Sequence, residues 1–241
     1  SSLLEQQKIA KFFSLLDKQI ELWETKLKLN EQFIKIFINS LKLNNRIKFS
    51  NICEIFKNIN GKSIEQYFSV SDGQDLNCYK VISIGNYSED FKYVDDKCRI
   101  DKKYRSSFTP QICIKNDLCL VLNDKTSKCN ILGKCILVDS DDSYVINQRS
   151  MILRNENNDF YFFYFQSYFF RNQIKKMAQI GNQSYINSSQ LLNIKIPDIN
   201  LELTKMFIYK NKTISILKEK MILKISLLIK RKQYFINKIF I

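Results

Sequence analysis

"EQQKIAKFFSLLDKQIELWETKLK", residues 5–28, spaces its apolar side chains in steps that alternate between four and three residues. Carried forward, the spacing selects Ile9, Phe13, Leu16, Ile20, Trp23, Leu27, Asn30, Ile34, Phe37 and Leu41, with no glycine or proline among them. Alternating steps of this kind put one row (Ile9, Leu16, Trp23, Asn30, Phe37) beside a second row on one side of a helix, which makes the seam of a coiled coil. Such a helix buries nothing on its own and requires a partner. Asn30, polar within an apolar row, is expected to fix register and partner number at some cost in stability.

The other end of the chain offers that partner. Residues 201–240 again lack glycine and proline, and Phe207, Ile214, Leu217, Met221, Ile225, Leu228, Phe235 and Ile239 keep mostly three- and four-residue spacing. Two consecutive four-steps at Leu217, Met221 and Ile225 read as a stutter. "QFIKIFI" at 32–38 is echoed by "YFINKIFI" at 234–241. Arms of about 40 residues would each be about 60 Å long, able to pair antiparallel.

Between the arms the period changes to two. "RIKFSNICEIF", "YKVISIGNYS", "QICIKNDLCLVLND" and "CNILGKCILVDSDDSYVINQRSMILRN" are short runs rich in β-branched and aromatic residues, broken by Asn, Asp, Gly and Ser. They predict a sheet-rich domain from Asn44 to Pro197. One helix is expected over 159–180, ending at Gly181 as a C-cap. Ser188 or Ser189 is expected to cap a short helix before a strand that stops at Pro197. The fold class is therefore α+β: a spacer helix over 1–43, a β-rich domain over 44–197 and a second spacer helix over 198–241.

Composition narrows the chemistry. With 241 residues and 45% apolar side chains the chain can bury a core unaided. The formal charge of +14, from 38 basic and 24 acidic residues, favours polyanion partners such as nucleic acid or an anionic membrane face. Abundant Lys, Ile and Asn leave room for codon bias in that figure. Histidine is absent, which removes Ser-His, Cys-His and His-metal arrangements. Seven cysteines (Cys53, Cys78, Cys98, Cys113, Cys119, Cys129, Cys135) show no CxxC pair and read as reduced, buried thiols of a cytosolic protein. The CxxxxxC spacings Cys113/Cys119 and Cys129/Cys135 are explained at least as well by strand alternation as by zinc, and no metal is expected. "FYFFYFQSYFF", residues 160–170, is too short for a membrane span and reads as a core helix.

Enzymatic motifs are also missing. The two prolines, Pro110 and Pro197, stand far apart, so the chain holds no Asn/Asp-Pro-Pro-aromatic loop of an adenine methyltransferase and no Gly-rich nucleotide loop. Asp198, Glu202 and Lys205 follow Pro197 without the strand pair a nuclease metal site requires. No catalytic residue is expected.

The opening helix, with its EQ..IA..L..LD..I pattern, resembles the conserved helical region of the specificity (S) subunits of type I restriction-modification systems. "NGK" at 60–62, "ILGKCILV" at 131–138, "YVINQRSMILR" at 144–154 and "GNQSYINSSQLLNIKIP" at 181–197 are similar in kind to the family's target recognition domain. The layout differs in holding one such domain where the family usually carries two, as a half-size form or fragment would. "LELTKMF" at 201–207 stands where a second EQ..IA opening would be. The resemblance implies a non-catalytic, cytoplasmic, bacterial subunit that reads one half of a bipartite double-stranded DNA target. Its partners would be methyltransferase (M) and restriction (R) subunits, and a second copy or another recognition domain; the chain would bind no cofactor, S-adenosylmethionine belonging to the methyltransferase.

Loops on a β scaffold can set Arg against guanine and Asn or Gln against adenine while Lys and Ser hold phosphates. Three clusters have that mix: Lys62, Ser63 and Tyr67; Asn147, Gln148 and Arg149; and Lys175, Lys176, Gln179, Asn182, Gln183 and Ser184. Against this, Lys175 and Lys176 could be a solvated helix face, and Arg149 could pair with Asp141 or Asp142. The alternative function is a coiled-coil interaction or membrane-surface protein that displays a β-rich head, with Lys230, Arg231 and Lys232 facing the membrane.

Overall fold

The computed structural model of the chain describes residues 3–43, 47–70 and 77–240, except the side chains of 27–31, 33–35, 39, 42, 43, 201, 211, 214, 215, 218, 239 and 240. Elements follow in the order α1 (Leu3–Leu43), β1 (Phe49–Asn51), α2 (Ile52–Ile55), β2 (Lys57–Asn60), β3 (Ser69–Val70), β4 (Cys78–Ile82), β5 (Cys98–Asp101), β6 (Leu118–Val121), β7 (Asn123–Asp124), β8 (Cys135–Leu137) and β9 (Tyr144–Ile146). They continue with β10 (Ser150–Arg154), α3 (Asn158–Gln166), α4 (Tyr168–Met177), β11 (Gln179–Ile180), β12 (Ser184–Tyr185), α5 (Ser188–Leu192), β13 (Lys195–Pro197) and α6 (Leu201–Phe240). The protein is α+β. It divides into two compact units, one of residues 1–39 with 205–241 and one of residues 40–204.

In the helical unit, opposite ends of the two long helices meet. Phe12 packs edge-on against Phe235 at 5.0 Å between ring centroids, and Phe37 lies 4.9 Å from Phe207. Arg231 sits over the rings of Phe12 and Phe235, and Lys232 pairs with Asp17. Two of the three basic residues offered to a membrane are thus engaged within the helix pair. Of the seam positions, Leu16 is buried and Ile9, Phe13, Ile20, Trp23 and Phe37 are half-buried, while Leu41 is buried in the second unit. The side chains of Leu27, Asn30 and Ile34, like those of Ile214 and Ile239, lie outside the described residues. Leu217, placed in the distal stripe by spacing, is exposed instead.

The second unit is built on sheets of order β2-β10-β6-β8 and β3-β5-β4-β9, with smaller sheets β1-β13 and β11-β12-β7. β4 and β9 run parallel, Lys80 opposite Tyr144 and Ile82 opposite Ile146; the other strand pairs are antiparallel. One core gathers Ile82, Cys119, Val121, Ile136, Val138, Ile146 and Ile152, and another gathers Ile64, Tyr79, Val81, Ile100, Phe108 and Val145. Burying an apolar side chain of this size contributes about 1.5–3 kcal/mol. Strands with both neighbours alike buried, such as β6 and β10, supply the centre.

Three expectations need correction. The helix expected over 159–180 is two helices, because Ser167 leaves helical geometry (ψ 152°) and its hydroxyl accepts from the Phe170 amide as the N-cap of α4. Phe160, Tyr161, Tyr164, Phe165 and Phe170 still fill a core across that break. Gly181 caps no helix: α4 ends at Met177 and Gly181 lies in the β11–β12 hairpin, its N–H donating to the Gln183 carbonyl at 2.9 Å. The short helix α5 is capped by Asn187 in place of a serine, the Asn187 N–H donating to Gln190 Oε1 at 3.1 Å. Asn200 caps α6, its Oδ1 accepting from the Leu203 amide at 2.9 Å.

The cysteines are all free thiols, but only Cys113, Cys119, Cys129 and Cys135 are buried; Cys78 and Cys98 are half-buried and Cys53 is exposed. Cys113 and Cys119 sulfurs lie 3.5 Å apart within the core. Among the described residues no group of three or more His, Cys, Asp or Glu side chains is placed to hold a metal. No helix among them is long and apolar enough to cross a membrane.

Candidate nucleic-acid interface

The strongest assembly of polar side chains begins at the three-residue turn Asn147-Gln148-Arg149 between β9 and β10. It is pinned on several sides: the Asn147 amide donates to Ile82 O at 3.0 Å, Leu122 donates to Arg149 O at 2.8 Å, and Lys62 pairs with Asn147 in a parallel bridge. The Gly61 amide donates to Ser150 O at 2.8 Å, bringing the "NGK" backbone against the turn. Arg149 adopts the left-handed conformation, φ 66°, uncommon for a residue with a side chain. Its side chain is exposed, and among the described residues it makes no ion pair. The expected alternative partners are spent elsewhere: Asp142 holds Lys102, Arg105 and the Tyr79 hydroxyl, and Asp141 accepts from the Lys115 amide.

Arg149 borders an open concavity of about 600 Å³ whose other walls include Asn123, Gln179, Asn182, Gln183 and Tyr185. The β11–β12 hairpin that carries most of them is fixed from below. β12 pairs with β7, and Ser184 donates from both its amide (3.1 Å) and its hydroxyl (2.9 Å) to Thr126 O. The Thr126 turn is in turn anchored on Asp124, which is buried yet held below the usual carboxylate range by N–H donors from Ile131 and Thr126. A rigid base therefore presents Gln179, Asn182 and Gln183, all exposed. Ser184 leaves the candidate set: it is fully buried with its hydroxyl committed.

The first two sequence clusters merge around a carboxylate that neither contained. Glu65 Oε1 accepts from Asn147 Nδ2 at 2.9 Å and from Gln148 Nε2 at 2.8 Å, and Glu65 Oε2 accepts from the Ser63 hydroxyl. Glu65 is exposed; the desolvation that opposes its ionisation is outweighed by the hydrogen bonds from Ser63, Asn147 and Gln148, which hold the group at about 2. The network stays charged under ordinary conditions. Asn147 is buried, its Oδ1 taken by the Gln148 amide, so it shapes the turn and offers nothing outward. Lys62 donates to Ser107 O at 3.1 Å. Tyr67 packs against Tyr104 in a tilted arrangement, 5.0 Å between ring centroids, and lies 6.0 Å from Phe108.

Lys175 and Lys176 stand exposed in the last turn of α4, where the helix dipole favours cations, three and four residues ahead of β11. Of the candidates, Arg149, Gln179, Asn182, Gln183, the two lysines and the Gln148 carbonyl make no side-chain hydrogen bond or ion pair among the described residues. An arginine fork and several carboxamides around one groove match base edges in a duplex; ammonium groups beside it match phosphates. Glu65, Asn123, Tyr104 and Tyr185 were not singled out from the sequence. Only Glu65 carried a local signal, an acid two positions after Ser63, and that signal is common.

No family model matches the chain. In sequence it is 28% identical over 234 residues to the type I restriction enzyme MjaVIII specificity subunit of Methanocaldococcus jannaschii, a match covering 88% of this chain and 53% of that protein. In fold it is similar to the HsdS subunit from Thermoanaerobacter tengcongensis, with a TM-score of 0.64 at 15% identity over 98% of this chain and 58% of that one. A chain from a solved structure on complex assembly and conformational transition of the type I R-M system gives a TM-score of 0.67 at 14% identity, covering 98% of this chain and 59% of its own. The chain thus spans between half and two thirds of the length of these relatives. The likeness to the two solved structures is one of fold, and the likeness in sequence is to one type I specificity subunit.

Proposed function

We propose that this chain is a non-catalytic DNA sequence-recognition subunit of a type I restriction-modification system. Residues 44–197 act as its target recognition domain and read one half of a bipartite duplex target. Residues 1–43 and 198–241 pair as an antiparallel coiled-coil spacer, which sets the distance to a second recognition domain and docks methyltransferase subunits, through which restriction subunits join. In this reading the protein works in the cytoplasm, and S-adenosylmethionine and all bond-breaking chemistry belong to its partners. The observation that carries the reading is the groove in which Arg149 meets Gln179, Asn182 and Gln183, in a chain of formal charge +14.

Titration of labelled duplexes with the full chain tests it. Affinity should fall linearly in log–log form with salt; Lys175→Ala with Lys176→Ala should weaken all duplexes about equally and lower the salt slope by about 2. Arg149→Ala or Gln183→Ala should instead remove about 1–3 kcal/mol of discrimination at one base position. Binding to anionic liposomes but not to duplex DNA would reject the reading in favour of a membrane-surface protein.

The spacer has a second stripe. Leu15, Leu22 and Ile36 repeat at heptad spacing on α1 yet are 53%, 52% and 60% exposed, and α6 exposes Ile216, Leu223, Leu227 and Ile229. A two-helix pair can cover one stripe per helix, so a further helix pair is needed for these. A second copy of the chain supplies it, giving a homodimer that reads an interrupted palindrome. Leu15→Lys with Leu22→Lys should turn a dimer into a monomer in sedimentation velocity without moving the melting of the β-rich unit. A wild-type chain that sediments as a monomer at tens of micromolar would remove the homodimer.

A further inference from the structure

The Glu65 network decides more than stability. A carboxylate accepts hydrogen bonds and donates none, so the two carboxamides that face Glu65 Oε1 must turn their nitrogens to it. For Asn147 this is doubly determined, since its Oδ1 takes the Gln148 amide at 2.8 Å. For Gln148 it means that Nε2 is held at 2.8 Å by Glu65 while Oε1, on an exposed side chain, has no hydrogen-bond partner among the described residues. A free glutamine presents donor and acceptor in either order. This one cannot.

We propose, building on the DNA-recognition reading, that Glu65 is a positioning residue for specificity: by holding one N–H of the Gln148 carboxamide it sets the order of the remaining carbonyl and second N–H, and it favours at that position bases that offer an exocyclic amino group to the carbonyl. In the major groove those are adenine, through N6, and cytosine, through N4; guanine and thymine show acceptors at the corresponding edge. The surroundings fit a base contact better than a phosphate contact. Glu65 is an anion a few ångströms behind Gln148 and repels phosphate, while its own oxygens are occupied by Ser63, Asn147 and Gln148. Arg149, the next residue, has the opposite polarity and faces the neighbouring groove, so the turn couples an amino-group reader to a guanine-type reader on adjacent residues.

The test is enrichment of a randomised duplex library by the full-length chain, comparing wild type with Glu65→Gln, Gln148→Ala and the double variant. Glutamine is nearly isosteric with glutamate and keeps hydrogen bonds to Ser63 and Asn147 available, but it can donate as well as accept, so the Gln148 amide is free to flip. The wild type should favour adenine or cytosine about tenfold over guanine and thymine at one position. Glu65→Gln should reduce that preference to about twofold there and leave other positions unchanged; Gln148→Ala should do the same, and the double variant should lose nothing more. Equal erosion at all positions, or a Glu65→Gln logo identical to wild type, overturns the proposal. A wild-type chain that enriches no sequence overturns the DNA-recognition reading itself, which separates the two failures.

Discussion

Replacement of Gly61 by alanine is expected to cost about 4 kcal/mol or more of folding stability, near the upper end for a single substitution. A Cβ at this position would stand 1.9 Å from the Asn147 carbonyl oxygen, 2.7 Å from its carbon and 2.9 Å from the Ser150 oxygen. All three are backbone atoms, so no rotamer change relieves the overlap. The segment that carries Gly61, just past the end of β2, must move away from the β9–β10 turn. That motion breaks the Gly61 N–H to Ser150 O bond and the Lys62–Asn147 bridge, and it strains the β2–β10 register beside it, where Asn60 faces Met151.

Urea titration of Gly61→Ala against wild type measures the effect. With a slope of about 2 kcal/mol/M, the midpoint should drop by about 2 M. The same displacement carries Asn147 and Gln148 away from Glu65, so on the proposed DNA-recognition reading surviving folded protein should bind duplex DNA with its salt dependence intact and its base preference reduced. A midpoint within about 0.3 M of wild type would mean that the β2 edge and the turn are not pressed together as described.

How far this arrangement could be read in advance depended on the range of the interactions involved. The alternation of four- and three-residue steps that marks Leu16 and Ile20 is a local regularity, and a helix must display it. Strand-forming runs were visible for the same reason, but their partners were not: the parallel pairing of β4 with β9 joins residues more than sixty positions apart, and no short-range rule selects it. The break at Ser167 was hidden because aromatic residues continue on both sides and the deciding event is one hydroxyl choosing the Phe170 amide. Residue types for a candidate interface could be named in advance as donors and acceptors in polar turns. Their availability was not, since Ser184 is spent on Thr126 and Asn147 on Glu65, 82 positions away. Sequence shows what a side chain can bind; only the fold shows what it is already binding.

Arg154→Leu tests how tightly the central sheet beneath the interface depends on one ion pair. Asp117 is fully buried, and its carboxylate takes the Arg154 guanidinium in a two-pronged contact, Nε to Oδ1 and an Nη to Oδ2, both at 2.7 Å. The Ile114 amide adds a third bond to Oδ2 at 2.9 Å. Arg154 is only partly exposed, and its own ionisation is strengthened by the Asp117 hydrogen bonds against the cost of burial. Deleting the cation leaves a carboxylate with one neutral donor in a dry site, for which the expected loss is about 3–5 kcal/mol. Removing both charges behaves differently. Asp117→Asn keeps the acceptor for Ile114, so the double variant Asp117→Asn with Arg154→Leu should recover more than half of that loss, because the pair's attraction is set against the desolvation of two ions. Denaturant midpoints of the four proteins in this cycle decide it. A single variant that loses under about 1 kcal/mol would place Asp117 in contact with water, and a double variant no better than Arg154→Leu would show that the arginine acts by its packing rather than by its charge.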